Sequence, residues 1–276
     1  MPATIHPSAV VAEGAAIGAG CSVGPFCYVG PNVRLGENVE LLAHVAVDGF
    51  TEIGDGCRIY PHASLGYAPQ SIAHKGGRTT LAIGRNTIVR ESVTIHAGAD
   101  FSRGATTVGE NCYLMAYSHI AHDCAVGNNV TMANSVALAG HCEIGDNVII
   151  GGLTAVLQFV RVGNNAFLAG MSAISGDVIP YGMAQGNLAE LRGLNVVGMR
   201  RAGMSKEDIR TVRRAYLTVF DRARPMAENI ERARREFDGS PLAMRIVDFV
   251  SARGKRYFVT PPVHGAGSSD DEDEAG

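Results

Sequence analysis

Large apolar residues recur at every sixth position along most of the first 180 residues of the chain, and the positions between them are mainly small or polar. Gly, Asn and Asp often follow the apolar residue, as in GEN, GDN and GNN, and these residues tolerate the turn conformations that others avoid. Such hexapeptides are typical of a parallel β-solenoid in which each unit buries one apolar side chain. The apolar series is Ile5, Val11, Ile17, Val23, Val29, Leu35, Leu41, Val47, Ile53, Ile59, Leu65, Ile83, Val89, Ile95, Val108, Leu114, Ile120, Val126, Met132, Leu138, Ile144, Ile150, Val156, Val162, Leu168 and Ile174.

Three hexapeptides close one coil of 18 residues, so the 26 units predict nearly nine coils of a β-helix over residues 1–180. Successive coils should rise by about 4.8 Å. Two longer intervals interrupt the series, and we assign insertions to residues 66–82 and 97–107. When the inserted residues are removed, Leu65, Ile95 and Ile120 fall into one stack, so both insertions leave from the same corner of the prism.

The hexapeptide pattern ends at about Pro180, and residues 181–260 show helical spacing instead. Ser205 is a candidate helix N-cap, a second helix should follow Pro225, and Ser240 with Pro241 should begin a third. From Glu190 to Phe258 there are 16 Lys and Arg against nine Asp and Glu, whereas residues 1–189 have eight against 13. The helical domain is therefore basic and should attract anionic partners.

The remaining features indicate the cellular setting. Residues 261–276 form an acidic tail without hydrophobic runs, and we predict that it is disordered. All six cysteines occupy the small inward position of a hexapeptide, which favours buried thiols in a reducing compartment. With neither a signal peptide nor an apolar run long enough to cross a bilayer, we expect a cytoplasmic protein without stable membrane insertion or nucleic-acid binding.

Three histidines fall on the corner that carries both insertions: His96, His122 and His141. Asp123 follows His122 and could orient its imidazole as a general base, provided that the turn brings both side chains to one cleft. Gly140 leaves a backbone N–H open to close approach, as an oxyanion hole requires, although a simple turn glycine fits equally well. Because no serine elbow or activated cysteine accompanies them, direct attack by a base-activated acceptor is the simpler scheme. His44, His62 and His119 lack this context.

Five segments of the chain carry a specific pattern: RESVTIH (90–96), HIAHDC (119–124), LAGH (138–141), IGGLTAV (150–156) and AQGN (184–187). Together they resemble the bacterial UDP-N-acetylglucosamine O-acyltransferases that begin lipid A synthesis, and the similarity extends over about residues 5–260. The resemblance implies a left-handed β-helix with a helical C-terminal domain and a homotrimer with active sites between subunits. It also implies transfer of an (R)-3-hydroxyacyl chain from acyl carrier protein to the 3-hydroxyl of the UDP-sugar. No cofactor is expected, because phosphopantetheine enters as part of the carrier.

The resemblance also implies roles for individual residues. His122 resembles the general base, Asp123 its orienting partner, and the Gly140 amide the oxyanion donor. Gly170 resembles the position that measures acyl length, where glycine implies a long chain. Positions that resemble substrate contacts are His96, His141, Gln70, Gln158, Asn195 and Arg201. No residue is assigned to a metal.

The chain departs from the family pattern in the first insertion. Ser71 and Ala73 stand where the family commonly has an Asp and a Lys that help to bind the acceptor. Leu157 replaces a frequent histidine, and Ala202 replaces an arginine. An acceptor with an amino group at the sugar 3-position is therefore an alternative, unless Lys75 supplies the missing charge.

Other readings of the same residues are possible. Some trimeric hexapeptide proteins, such as the γ-class carbonic anhydrases, bind zinc with three histidines, but the His-x4-His pair expected of them is absent here. A binding scaffold that has lost activity would also keep the prism. The related N-acyltransferases of the same pathway have an extra N-terminal nucleotide-binding domain, whereas this repeat begins at Ile5.

Overall fold

The computed structural model describes residues 1–262, and most of this part consists of short parallel strands. In chain order, β1 to β28 are Thr4–Ile5, Val10–Val11, Ala16–Ile17, Ser22–Val23, Tyr28–Val29, Arg34–Leu35, Glu40–Leu41, Ala46–Val47, Phe50–Ile53, Arg58–Ile59, Ser64–Tyr67, Thr80–Ile83, Ile88–Val89, Thr94–His96, Ala105–Val108, Tyr113–Leu114, His119–Ile120, Ala125–Val126, Thr131–Met132, Ala137–Leu138, Glu143–Ile144, Ile149–Ile150, Ala155–Val156, Arg161–Val162, Phe167–Leu168, Ala173–Ile174, Gly182–Gln185 and Glu190–Leu194. The predicted acidic tail, residues 261–276, lies almost entirely outside the described residues.

The strands form the three faces of a left-handed prism. Sheet A contains β1 and every third strand to β25, followed by β27 and β28; sheet B runs from β2 to β26, and sheet C from β3 to β24. Leu65 pairs with Ile95, and Ile95 pairs with Ile120, as the repeat predicted after removal of the insertions. We name the turns between faces the A–B, B–C and C–A corners.

The regular spacing arises from burial on the inside and turn chemistry at the corners. The apolar residue of nearly every unit from Val23 onward is buried, and each such side chain contributes about 1.5–3 kcal/mol. All six cysteines are buried free thiols, as predicted. At the C–A corner, side-chain oxygens bond the amides of the preceding coil: Asp55 accepts from Glu37 N–H at 2.8 Å, and Asp146 from Asn128 N–H at 2.7 Å. Neighbouring coils are therefore joined at the corner as well as through the strands.

Both insertions connect sheet B to sheet C at the B–C corner. The first insertion runs from the end of β11 at Tyr67 to the start of β12 at Thr80, and the second from His96 at the end of β14 to Ala105 at the start of β15. The strands on the sheet C side, β12 and β15, are each four residues long and pair along their whole length. The returning strands thus fix where each insertion ends.

The winding continues beyond the last predicted unit. Ala184 of β27 pairs with Leu168, and Val178 forms a parallel bridge to Val162. Strand β28 then turns back antiparallel to β27. The hexapeptide pattern did not predict this additional partial coil, because its residues keep the parallel pairing without the six-residue spacing.

Four helices follow the prism: α1 Val196–Arg201, α2 Lys206–Val219, α3 Met226–Phe237 and α4 Pro241–Ser251. Helix α1 was not predicted. Ser205 caps α2 by accepting from Asp208 N–H, and Ser240 caps α4 by accepting from Ala243 N–H, as expected. No helix within residues 1–262 is both long enough and apolar enough to span a membrane.

The segment after α4 returns to the prism and holds the helical domain against it. Asp177, whose side chain is fully buried, forms an ion pair with the largely buried Arg161 at 2.7 Å. On either side, Asp177 N–H donates to Tyr257 O at 2.7 Å, and Val259 N–H donates to Asp177 O at 2.9 Å. Residues 253–259 are thereby positioned beside the upper end of the B–C corner.

Candidate active site

His122 and Asp123 form a hydrogen-bonded pair at the B–C corner. Asp123 has a positive φ of 60°, and this turn conformation lets two consecutive side chains lie on the same side of the backbone. His122 Nδ1 lies 2.8 Å from Asp123 Oδ2, and the two side chains are 16% and 0% exposed, respectively. The pairing that depended on the turn is therefore present in the fold.

The second insertion surrounds the Asp123 carboxylate with donors. Ala99 N–H donates to Oδ2 at 3.1 Å, and Gly104 N–H donates to Oδ1 at 2.9 Å. Arg103 also donates to the Asp123 carbonyl oxygen at 2.6 Å. Because the carboxylate serves only as an acceptor, the imidazole proton is placed on Nδ1 of His122, and Nε2 is left as the acceptor nitrogen that a general base requires.

Gly140 lies directly against the His122 ring. A Cβ atom at this position would approach His122 Cε1 to 2.8 Å and Nε2 to 2.9 Å, distances that real side chains do not adopt. Within residues 1–262, the Gly140 N–H donates no hydrogen bond to a protein acceptor. The absence of a side chain thus brings an available amide beside His122 Nε2, and this is the arrangement that an oxyanion hole requires.

A column of rings extends from the dyad along the prism axis. The His122 and His141 ring centroids are 5.0 Å apart, and the His141 ring stacks on Phe159 at 4.4 Å. Phe101 of the second insertion lies edge-on to His122 at 6.0 Å, and Lys255 Nζ lies 4.2 Å from the Phe159 ring. Burial lowers the pKa of His141, so its imidazole is a neutral hydrogen-bonding group near pH 7.

His96 lies beside His119, for which the repeat had suggested no role. Their ring centroids are 5.0 Å apart, and Thr94 Oγ1 lies 2.7 Å from His119 Nδ1. His96 is 8% exposed, and its Nδ1 is buried without a hydrogen-bond partner in the described part of the chain. Burial, and then the neighbouring His119 and His122, lower the pKa of His96 to about 4. Burial also lowers the pKa of His119, so both imidazoles next to the dyad are neutral near pH 7.

The other predicted site residues are more widely distributed. Gln70 is exposed on the first insertion, and Gln158 lies on the B–C corner, where its carbonyl oxygen accepts from Arg256 Nε at 2.8 Å. Asn195 caps α1 and donates to Asn165 O at the C–A corner, and Arg201 ends the same helix with an exposed side chain. Gly170 lies on the A–B corner. Within a single chain, Gly170, Asn195 and Arg201 therefore lie on other parts of the surface than the dyad.

Several residues around the dyad were not predicted. In the second insertion these are Asp100, Phe101, Ser102 and Arg103; Ser102 Oγ lies 3.3 Å from His141 Nδ1. Nothing in the repeat indicated them, because an insertion has no periodicity from which a contact can be deduced.

The same groups include possible metal ligands. Donor atoms of His122, Asp123 and His141 lie within 4.8 Å of one another, which is compatible with a shared ion. However, each oxygen of Asp123 already accepts a backbone N–H, and Oδ2 also faces His122 Nδ1. A metal would have to displace these bonds and break the dyad, so the donor set fits acid–base chemistry better.

Family models match two parts of the chain. Residues 105–140 match the bacterial transferase hexapeptide (six repeats), and residues 177–258 match domain 2 of Udp N-acetylglucosamine O-acyltransferase. The first match covers the two coils that contain the dyad, and the second covers the last partial coil with the helical domain.

Relatives and solved structures are similar over nearly the whole chain. The acyl-[acyl-carrier-protein]–UDP-N-acetylglucosamine O-acyltransferase of Mesorhizobium japonicum is 57% identical over 98% of this chain and 97% of its own. The enzyme of that name from Bartonella bacilliformis is 48% identical over 93% and 94% of the two chains. The crystal structure of Francisella novicida UDP-N-acetylglucosamine acyltransferase superposes with a TM-score of 0.91 at 35% identity, covering 94% of this chain and 95% of that one.

Proposed function

The chain belongs to the family of acyl-[acyl-carrier-protein]–UDP-N-acetylglucosamine O-acyltransferases, and we propose that its His122–Asp123 dyad is the general base of the acyl transfer. The enzyme is an O-acyltransferase of lipid A biosynthesis, and its substrates are an acyl carrier protein thioester and UDP-N-acetylglucosamine. The 2.8 Å contact between His122 Nδ1 and the buried Asp123 carboxylate carries the proposal, because it leaves Nε2 available to accept a proton.

The reaction follows from these positions. His122 Nε2 removes the proton from the sugar 3-hydroxyl while the hydroxyl oxygen attacks the thioester carbonyl of the (R)-3-hydroxyacyl chain. Asp123 stabilises the imidazolium that forms, and the Gly140 N–H donates to the developing oxyanion. As the tetrahedral intermediate collapses, the C–S bond breaks and the carrier thiol leaves with the proton from His122. The scheme needs no resident cofactor, because the phosphopantetheine arm arrives with the carrier.

The distribution of the remaining residues supports a homotrimer. Gly170 lies on the A–B corner three coils above His122, which corresponds to about 14 Å along the axis as well as a different edge of the prism. Next to Gly170, Leu153 and Met171 are 64% and 76% exposed. If the A–B corner of one copy packs against the B–C corner of the next, these apolar side chains are covered and Gly170 faces the acyl chain in the cleft. Three such head-to-tail contacts close a ring.

The helical domain provides a surface for the carrier. Lys206, Arg210 and Arg213 are exposed along α2, and Arg200 and Arg201 precede them on α1. Helical spacing of three and four residues places the three α2 side chains on one face. A basic face of this kind attracts an acidic carrier protein and the phosphate groups of its partner substrate. A cytoplasmic location fits the six buried free thiols.

The first insertion raises one question about the acceptor. Ser71 is half-buried, and its Oγ accepts from Ala73 N–H at 3.4 Å, so the loop presents neither an acid nor a base at these two positions. A UDP-sugar with a 3-amino group is the second candidate acceptor, since an uncharged amine would need less help from a general base and from a charged loop.

One assay tests the function and the acceptor together. Purified protein is incubated with (R)-3-hydroxyacyl carrier proteins of several chain lengths and either UDP-N-acetylglucosamine or its 3-amino analogue, and products are identified by mass spectrometry. We expect an O-acylated UDP-sugar, a loss of about 10²–10⁴-fold in kcat for His122→Ala, and unchanged nucleotide binding. Full activity of His122→Ala, or activity that depends on stoichiometric zinc, would contradict the proposed base. If the enzyme used only the 3-amino analogue, the acceptor would be the amino sugar and not UDP-N-acetylglucosamine. A monomeric mass by light scattering would exclude the trimer.

A further inference from the structure

The two insertions pair through their backbones near the strands, and the tip of the first insertion contacts the second at Asp100, through its carboxylate and through its N–H, which lies 3.4 Å from His74 Nδ1. Its Oδ2 accepts from Lys75 N–H and from Gly77 N–H, both at 2.9 Å. Its Oδ1 lies 3.1 Å from His74 Nδ1, and the His74 and Asp100 side chains are only 11% and 18% exposed. We propose that Asp100 is a positioning residue that clamps the first insertion over the dyad and thereby sets the affinity for the UDP-sugar acceptor. The inference rests on the proposed function, which assigns the first insertion to acceptor binding.

The clamp requires a specific residue on the first insertion. A Cβ atom at Gly77 would lie 2.6 Å from the Asp100 Cβ, so only glycine allows the two loops to approach this closely. The amide of Gly77, and then that of Lys75, lower the pKa of Asp100, which keeps the carboxylate charged near pH 7. The contact is therefore built from both loops.

Few other contacts restrain the tip of the first insertion. Ser71 N–H donates to Pro69 O at 2.8 Å, and His74 N–H donates to Ser71 O at 3.1 Å, but both bonds lie within the loop itself. The side chain of Ile72 is fully exposed. The ends of the insertion are held separately, since Pro69 and Thr79 are buried and Arg78 lies over the Phe50 ring at 4.2 Å. Without the clamp, residues 70–77 would gain conformational freedom that acceptor binding would then have to remove.

The residues on either side of Asp100 contact the dyad. Ala99 N–H donates to Asp123 Oδ2, and Phe101 lies edge-on to His122 at a centroid distance of 6.0 Å. A segment of three residues thus holds the catalytic carboxylate, the acceptor loop and the base ring in a fixed relation. Loss of the Asp100 contacts should affect the acceptor more than the carrier, because the carrier surface lies on the helical domain.

The test compares Asp100→Ala with the near-isosteric Asp100→Asn. Loss of two hydrogen bonds to a charged acceptor should raise the KM for the UDP-sugar by about tenfold or more, with little change in the KM for the acyl carrier. Asparagine keeps an Oδ1 that can accept from both amides, so Asp100→Asn should remain within about threefold of the wild type. Asp55→Ala is the matched control, since Asp55 also accepts a backbone N–H, at 2.8 Å, but in a remote coil.

Amide hydrogen exchange of the substrate-free protein gives a readout that does not depend on activity. Peptides that cover residues 70–77 should exchange faster in Asp100→Ala, and at the wild-type rate in Asp100→Asn and Asp55→Ala. Unchanged exchange and KM in Asp100→Ala would overturn the clamp, as would an Asp100→Asn variant as defective as the alanine variant. If the wild type transferred no acyl group, the proposed function would fail while the exchange experiment still tested the clamp.

Discussion

Histidine rings contact each other on two corners of the same prism, but only one of the two pairs adjoins a buried carboxylate. On the A–B corner, His44 and His62 have positive φ angles of 58° and 65°, and their rings stack at 5.0 Å. On the B–C corner, His141 also has a φ of 65°, and its ring lies 5.0 Å from that of His122. His141 thus has nearly the same backbone conformation as His44 and His62, whereas His122 precedes the positive-φ residue, Asp123, by one position.

The difference lies in what surrounds the rings. His44 and His62 are exposed on the outside of a corner that has no insertion. His122 is 16% exposed, pairs with a fully buried carboxylate, and is covered by the second insertion, whose backbone amides hold that carboxylate. A turn histidine becomes a candidate base here because a loop without periodicity supplies burial and an oriented acceptor.

The largest effect should come from removing the charge that distinguishes the two corners. Asp123→Asn keeps the volume but loses the carboxylate that stabilises the imidazolium, so kcat should fall by about 10²–10³-fold. Steady-state kinetics with both substrates would measure the loss. The double variant His44→Ala, His62→Ala should retain the wild-type kcat, and an Asp123→Asn variant within threefold of the wild type would show that the dyad is not the relevant difference.

A smaller effect is expected from the glycine beside the base. Gly140→Ala would place Cβ less than 3 Å from the His122 ring and force the ring to move, so kcat should fall by about 10–10²-fold with a smaller change in KM. Gly239→Ala is the matched control, because a Cβ at Gly239 meets nothing within 4 Å. Equal kinetics for the two variants would contradict the close approach between Gly140 and His122.

The smallest effect concerns stability and pH. The pKa of His96 is about 4 in the folded chain, against about 6.5 when unfolded, so the unfolded state binds more protons between these values. The free energy of unfolding should therefore decrease as the pH falls from 6.5 to 4, by up to about 3 kcal/mol from this residue. Denaturant titrations at several pH values and constant protein concentration would measure the slope.

His96→Gln should reduce this pH dependence, and the exposed His62→Gln should leave it unchanged. His119, whose pKa is also lowered by burial, contributes with the same sign and accounts for part of the slope that persists. An undiminished slope in His96→Gln would show that burial of this imidazole does not control the stability.

The sequence predicted features that depend on the repeat, and failed where the repeat gives no information. The stack of Leu65, Ile95 and Ile120 follows from a period of 18 once the insertions are removed, and it is confirmed. The same counting placed His122 and His141 on one corner. The contacts of Asp100 could not be predicted, because they join two segments whose conformations depend on each other.

Features at the end of the prism were also not predictable from the repeat. The partial coil that contains Ala184 keeps its parallel pairing although its residues have lost the six-residue spacing. Helix α1 is six residues long and is capped by Asn195, whose side chain also reaches the prism, so tertiary contact stabilises it more than local propensity. His119 was given no role although the stack of Ile95 and Ile120 already placed it beside Thr94, because the repeat gives the register of this pair but not the contact between the two side chains.

The side-chain oxygens that join neighbouring coils at the C–A corner affect how this protein can change in evolution. Asp146 accepts from Asn128 N–H, and Asn164 accepts from Asp146 N–H, so a regular coil added between His122 and Gly170 with the same residues would keep equivalent bonds above and below it. The spacing between His122 and the level of Gly170 can therefore change only in steps of about 4.8 Å. If Gly170 measures the acyl chain, coil number adjusts that length coarsely, a few methylene groups at a time, and only the size of the side chain at position 170 adjusts it finely.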